Sequence, residues 1–394
     1  MREFDVAERR NRLARRTFLV RDDASLPDLT AGLLGLHATD PATPYLSLWA
    51  RAPGFAVAGL DRELYDKRSL VKHLAMRRTL WIICADDLAL VQAAASARVA
   101  DNERRRLIAD AQKAGLTGDG ARWLDRACAA TLRHLTDNGP ATSTELRAAL
   151  PELAGSYDPA PGKRWGGEVP VAPRVLTVLS ARGDIVRGPN DAGWTSSRPR
   201  WSATSGWLPE RAEPWSEPAA RAEWTRRWLR TFGPATVEDI RWWQGSTLTA
   251  VRAALTDLGA VEVDLHGSRG YALPDDLEPE PVAPLWCALL PSLDPTTMGW
   301  AQRDWYLGEH RGHLFDRNGN AGATAWCNGR VVGGWYQDGN ARVQVQLLED
   351  PGRDARQALE RRAEELTTWL DGVRISPRFP SPLAKSAVDS AVRR

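Results

Sequence analysis

His37, Thr39 and Asp40 stand within four residues in the run Leu33-Leu34-Gly35-Leu36-His37-Ala38-Thr39-Asp40-Pro41, bringing together an imidazole, a hydroxyl and a carboxylate. Such a set can hold a water molecule and move a proton. In a continuous helix, His37 and Thr39 would lie about 200° apart and could not share a site. Pro41, however, disfavours helical backbone at Asp40. The Leu29, Leu33 and Leu36 spacing therefore predicts a helix that ends near Leu36 or His37 and an extended segment after it. In that segment residues two apart project the same way, so His37 and Thr39 face one junction between two helices. A histidine at a helix end also commonly acts as a C-cap donor, and the threonines before Pro44 suit helix capping. Both roles stand beside the catalytic one.

Composition narrows the class of protein more than it identifies it. The 394 residues suffice for two to four domains of about 100–200 residues each, and 43% hydrophobic with 26% charged residues is ordinary for a globular chain. Fifty-two basic against 50 acidic residues neither demand nor exclude nucleic acid as a partner. No apolar run approaches the roughly 20 residues that span a bilayer, and the N-terminus lacks the apolar core of a secretory signal. A cytoplasmic protein with no membrane partner is expected. Cys84, Cys128, Cys287 and Cys327 are scattered singly, which suggests reduced, inert thiols. His310 and His313 fall three apart but have no third ligand nearby, so neither a metal nor a cofactor is expected.

The elements around the motif follow from periodicity and punctuation. Residues 4–19 read as a basic amphipathic helix; helices follow over 44–52 and 57–66, then two strands, 70–76 and 79–84, with Arg77-Arg78 at the hairpin tip. An internal repeat organises the middle of the chain. Gly139-Pro140-Ala141-Thr142 is echoed by Gly233-Pro234-Ala235-Thr236, and in each the threonine and the acid three residues on, Glu145 or Asp239, form a capping box. Each copy continues as helix, helix, glycine stop and β-hairpin, the strands expected at 184–187 and 193–198 in the first and at 261–265 and 270–273 in the second. This is the plan of a winged helix; with the N-terminal copy, three stand in tandem. Arg174 on the second helix of the first clear repeat, and Arg187, Arg198 and Arg200 on its hairpin, join Arg77 and Arg78 as candidate DNA-binding residues. For Arg77-Arg78 a solvated turn is an equally good explanation. From Pro284 the pattern is β-rich, with strands expected at 286–290, 323–327, 331–337 and 341–347 and a final helix at 353–370. The expected class is α+β, divided into residues 1–118 (first winged helix with a helical extension), 119–215 (second), 216–280 (third) and 281–394 (β-rich domain with the final helix).

Four features taken together, the Leu36-His37-Ala38-Thr39-Asp40-Pro41 segment, the Met76-Arg77-Arg78-Thr79-Leu80-Trp81 strand, the two Gly-Pro-Ala-Thr copies and the Asn328-Gly329-Arg330-Val331-Val332-Gly333 hairpin, resemble the winged-helix DNA-binding-domain proteins that include the alkylpurine DNA glycosylases of the AlkZ/YcaQ type. The resemblance implies a C-shaped chain that cradles double-stranded DNA, working as a monomer in the cytoplasm at the nucleoid. It also implies hydrolysis of the N-glycosidic bond of N7-alkylated purines, bulky or crosslinked ones included. The family carries glutamine-apolar-glutamine or glutamine-apolar-aspartate where this chain has His37-Ala38-Thr39, so His37 and Thr39, with Asp40 supplying a negative field, become the expected catalytic residues. The alternative is a winged-helix DNA-binding protein or transcriptional regulator without chemistry.

Overall fold

The computed structural model describes residues 1–20, 23–163, 166–208 and 212–386. Helices and strands are mixed throughout, and the chain divides into two compact units, Asp61–Ala220 and a second made of Met1–Leu60 with Arg221–Arg394.

Unit Asp61–Ala220 contains the first hairpin and the first clear repeat. Strands Leu70–Leu74 and Leu80–Cys84 pair antiparallel from Leu70 opposite Cys84 to Leu74 opposite Leu80. Their tight connection takes Arg77 and Arg78 into left-handed backbone, φ 54° and 63°, a conformation that costs non-glycine residues energy. Helices Ala97–Lys113 and Gly120–Asn138 then pack with the repeat. Thr142 caps helix Ser143–Ala149 with the expected reciprocal bonds to Glu145, and helix Ala172–Arg182 ends at left-handed Gly183. The hairpin differs from the expectation in its second strand, which is Pro199–Ala203 rather than residues 193–198. Ala192 and Gly193 adopt left-handed φ values of 70° and 83°, so 191–198 is the turn and the strand begins beyond it. Leu107, Leu146, Val175, Leu179, Ile185 and Trp201 form one core beneath these elements.

His73 in strand Leu70–Leu74 is 1% exposed and hydrogen-bonds the Ser96 hydroxyl through Nε2 at 2.9 Å. Burial, against a hydrogen bond with Gln92, pulls its pKa down from 6.5 to about 4. Between those values the unfolded chain binds a proton that the folded one excludes. Stability is therefore complete above pH 6.5 and falls as the pH drops toward 4, by roughly 3 kcal/mol at about 1.4 kcal/mol per pH unit. Urea midpoints followed from neutral pH to pH 4 should decline in the natural chain and decline less in His73→Gln; equal slopes would contradict a neutral buried ring.

In the other unit, strand Arg2–Glu3 adds in parallel to strand Val261–Asp264, an unexpected long-range pairing that places Phe4 in a small core with Val263, Leu265 and Ala272. The N-terminal helix is accordingly shorter than expected, Val6–Arg16, capped by Asp5. Its arginines are consumed internally: Arg12 and Arg16 pair with Asp276 at 3.0 and 2.6 Å, and Arg15 donates to the Pro281 carbonyl. The second repeat has capped helix Val237–Gln244, helix Leu248–Asp257 and strands Val261–Asp264 and Arg269–Ala272. In each repeat the alanine of Gly-Pro-Ala-Thr bridges the second hairpin strand, Ala141 to Trp201 and Ala235 to Tyr271. One backbone pattern thus recurs twice, down to this bridge.

The β-rich end is a four-stranded antiparallel sheet in chain order, Cys287–Leu290, Thr324–Cys327, Arg330–Gln337 and Val343–Leu347, with helix Arg353–Leu370 packed on its first and last strands. Cys287 and Cys327 are register partners with Cα atoms 4.3 Å apart, and they form a disulfide. The expectation of four reduced thiols fails because 40 residues separate the pair in sequence while the sheet aligns them in space. Cys84 and Cys128 remain thiols, and burial pushes the Cys128 thiol up to about 11, which keeps it unreactive. Thiol titration of the denatured, unreduced chain should detect two groups of the four; detecting all four would exclude the bridge.

Candidate active site and nucleic-acid interface

The helix before the motif ends earlier than its leucine spacing predicts. It spans Leu26–Gly32, and the chain turns through Leu34 and Gly35 at φ 57° and 108° before Leu36–His37 forms a short strand. A Cβ on Gly32, at the end of that helix, would lie 2.5 Å from the Phe18 ring, so a larger residue there would have to displace the ring. His37 is therefore in extended backbone, which it enters from a turn rather than from a helix end.

His37 is 2% exposed and Asp40 3% exposed, while Thr39 is partly open to solvent. The Thr39 backbone N–H donates to His37 Nδ1 at 3.4 Å. A neutral ring with its Nδ1 lone pair engaged carries its hydrogen on Nε2 and is a donor there. An imidazolium would have no lone pair for the Thr39 N–H at all.

Asp40 folds back into the start of the next helix. Its Oδ1 accepts the Ala42 N–H at 3.3 Å and its Oδ2 the Arg378 N–H at 3.0 Å. Burial raises its pKa, with the two backbone donors and the Arg378 charge opposing the rise. Asp40 lines a cavity of about 560 Å³ whose wall also includes Thr43, Ser292, Trp335, Arg374, Ser381 and Lys385.

The motif is held in place by helix Thr43–Trp49 and a buried polar network. Thr43, Ser47 and Arg51, four residues apart, present one face to the segment Ser292–Thr296. Thr43 donates to the Ser292 carbonyl at 2.7 Å, and Ser47 donates to Asp294 at 2.7 Å. Arg51 forks onto both oxygens of Asp294 at 2.9 and 2.8 Å and reaches the Thr296 hydroxyl. Arg51 and Asp294 are fully buried. Sequence reading missed this network, although the four-residue spacing and the Ser292-Leu293-Asp294-Pro295-Thr296 run were visible.

The six arginines expected to meet DNA all lie in the other unit, in varied settings. Arg78 at the hairpin tip pairs with Glu103 at 2.9 Å beside Arg77. Arg174 bonds the Tyr157 hydroxyl at 2.5 Å and Asp110 at 3.4 Å, on a helix whose other positions are mostly buried. Arg187 lies over the Trp201 ring at 4.7 Å. Arg200 bridges Glu145 and Asp191 at 3.0 and 3.7 Å. Arg198, exposed in the 191–198 turn, stands farthest from such internal roles. Among the described residues, no group of three or more His, Cys, Asp or Glu could hold a metal ion, and no helix is long and apolar enough to cross a membrane.

Comparison with known families places the chain among the DNA glycosylases. Residues 30–369 match the family described as DNA glycosylase AlkZ-like, and the chain is a member of that family. Its fold is similar to that of Streptomyces sahachiroi DNA glycosylase AlkZ, with a TM-score of 0.71 at 20% identity over 96% of this chain and 99% of that one. No curated protein sequence matches it.

Proposed function

We propose that this glycosylase hydrolyses the N-glycosidic bond of N7-alkylated purines in duplex DNA, as a monofunctional enzyme, with His37, Thr39 and Asp40 at the reacting centre. The observation that carries the reading is the motif itself: a family member over residues 30–369 in which the Thr39 backbone N–H ties to the His37 ring at 3.4 Å beside the buried Asp40 carboxylate. Alkylation at N7 makes the base cationic and a good leaving group, so it departs with the glycosidic electron pair as a neutral molecule and needs no acid. The protein has to orient a water toward C1′ and stabilise the positive charge that develops on the sugar. His37 Nε2–H and the Thr39 hydroxyl orient the water, Asp40 supplies negative charge, and the water, once bonded to C1′, gives up its extra proton to bulk solvent. The proposal includes three winged-helix modules ahead of the β-rich domain in the four segments set out above, with Arg77, Arg78, Arg174, Arg187, Arg198 and Arg200 on phosphates, and a monomer acting at the nucleoid. The twofold recurrence of capped helix, second helix, hairpin and bridge supports the module assignment.

Duplexes carrying N7-methylguanine or bulkier N7 adducts should accumulate abasic sites on incubation with the protein. If every adduct stays intact while salt-dependent duplex binding persists, the non-catalytic DNA-binding reading takes its place.

A further inference from the structure

After helix Arg353–Leu370 the chain returns to the motif as a strap, residues 373–385, whose Arg378 N–H meets Asp40. Resting on the glycosylase reading above, we propose that this strap belongs to the reacting centre: the Arg378 backbone N–H is the positioning group that keeps the Asp40 carboxylate charged and fixed in orientation. The strap is tied down on both sides of the contact. On one side Gln337 donates to the Val373 carbonyl at 2.9 Å and accepts the Ile375 N–H at 2.8 Å, and the Arg374 guanidinium donates to the carbonyls of Asp338 and Gly339. On the other side Ser381 and Leu383 are buried, and two glycines make room for them. A Cβ at Gly322 would lie 2.5 Å from that of Ser381, and one at Gly334 would lie 3.3 Å from the Leu383 side chain. Pro377, Pro380 and Pro382 restrict the backbone around and beyond the contact, so the strap loses few conformations on docking.

Asp40 depends on that donor because it has given up most of its water, and burial works against the charge the reaction uses. Of its two hydrogen bonds, the one from Ala42 is local and spans 3.3 Å. The one from Arg378 comes from 338 residues away, spans 3.0 Å and opposes the effect of burial more strongly. The neighbouring elements add few charges. Helix Thr43–Trp49 brings Tyr45 as its one titratable group, and segment 292–296 brings Asp294, which is already forked by Arg51. Tyr336, Arg374 and Lys385 share the cavity wall with Asp40, Arg374 being turned to the carbonyls named above, and His37 precedes Asp40 on its own segment. The Arg378 guanidinium also favours the ionised carboxylate, but its side chain is exposed, where water screens it.

Two substitutions at one position separate the amide from the charge. Arg378→Gln removes the guanidinium and keeps the N–H; Arg378→Pro removes both. NMR titration of the Asp40 carboxyl carbon, assigned with Asp40→Asn, reads the contact directly. Base release from an N7-methylguanine duplex against pH, corrected for spontaneous depurination, reads its use. Protonating Asp40 removes negative charge, so release is lost as the pH falls through the carboxyl pKa, and a lost donor moves that loss to higher pH. The carboxyl should therefore titrate at higher pH in Arg378→Pro than in Arg378→Gln, and release on the acid limb should be about tenfold slower, the effect of one hydrogen bond to a charged group. Identical titration of Asp40 in the two variants would overturn the proposal and leave the glycosylase reading intact. So would a loss of rate equal at every pH, which marks a strap that matters only for folding. A shifted carboxyl with no base release from the natural chain on any N7 adduct would uphold the contact and remove the glycosylase reading instead.

Discussion

Asp294→Ala is expected to destabilise its unit by about 3–5 kcal/mol, a large share of the roughly 5–15 kcal/mol that holds a typical domain together. Asp294 accepts both nitrogens of the Arg51 fork, the Ser47 hydroxyl and the Thr296 N–H at 2.9 Å, and neither charged partner meets solvent. Deleting the carboxylate strands a guanidinium in a dry interior, and that uncompensated charge dominates the cost. The paired replacement Arg51→Met with Asp294→Leu removes both charges, so it should recover most of the lost stability. Chemical denaturation of the three chains decides the matter. If the double variant is as unstable as Asp294→Ala, the loss comes from packing or the remaining hydrogen bonds rather than from the stranded charge. A functional consequence accompanies the structural one, since this network docks the helix that immediately follows Asp40; milder variants such as Ser47→Ala should loosen the motif and lower activity before they unfold the chain.

Replacing His37 and Thr39 together by alanine is expected to slow single-turnover base release on the order of 10²-fold, with duplex affinity unchanged. The size follows from losing preorganised groups around the attacking water, and it stays moderate because the cationic base leaves without acid assistance. His37→Gln with Thr39→Gln restores the glutamine-apolar-glutamine form and should keep substantial activity, because amides can hold a water as the imidazole N–H and hydroxyl do. The decisive comparison is rate against binding. Base release that survives the alanine pair at full rate would move the reacting centre elsewhere; equal loss of rate and duplex affinity would make the pair a DNA contact instead of a water site.

Local signals in the chain announced many of its elements and its repeat. Gly-Pro-Ala-Thr followed by an acid three residues on specifies a capped helix by short-range hydrogen bonds alone, and both Thr142 and Thr236 form the expected box. The Asn328-Gly329 turn and the alternation on either side likewise announced strands Thr324–Cys327 and Arg330–Gln337, because turn chemistry and side-chain period are local properties. The His37-Ala38-Thr39-Asp40 segment could be singled out because Pro41 restricts its predecessor regardless of the rest of the fold.

Tertiary structure decided everything that depends on residues far apart. It closed Cys287 on Cys327, laid Arg2–Glu3 beside Val263–Asp264, and spent the arginines of the first helix on Asp276 and its neighbours. It also turned Asp40, legible only as a nearby charge, into part of the wall of a cavity completed by chain more than 300 residues away, at Arg374, Ser381 and Lys385. The physical reason is the same in each case. Helix caps, turns and alternation are satisfied by atoms a few bonds apart, so the local sequence determines them; ion pairs, a disulfide and an enclosed volume need partners that only packing brings within reach.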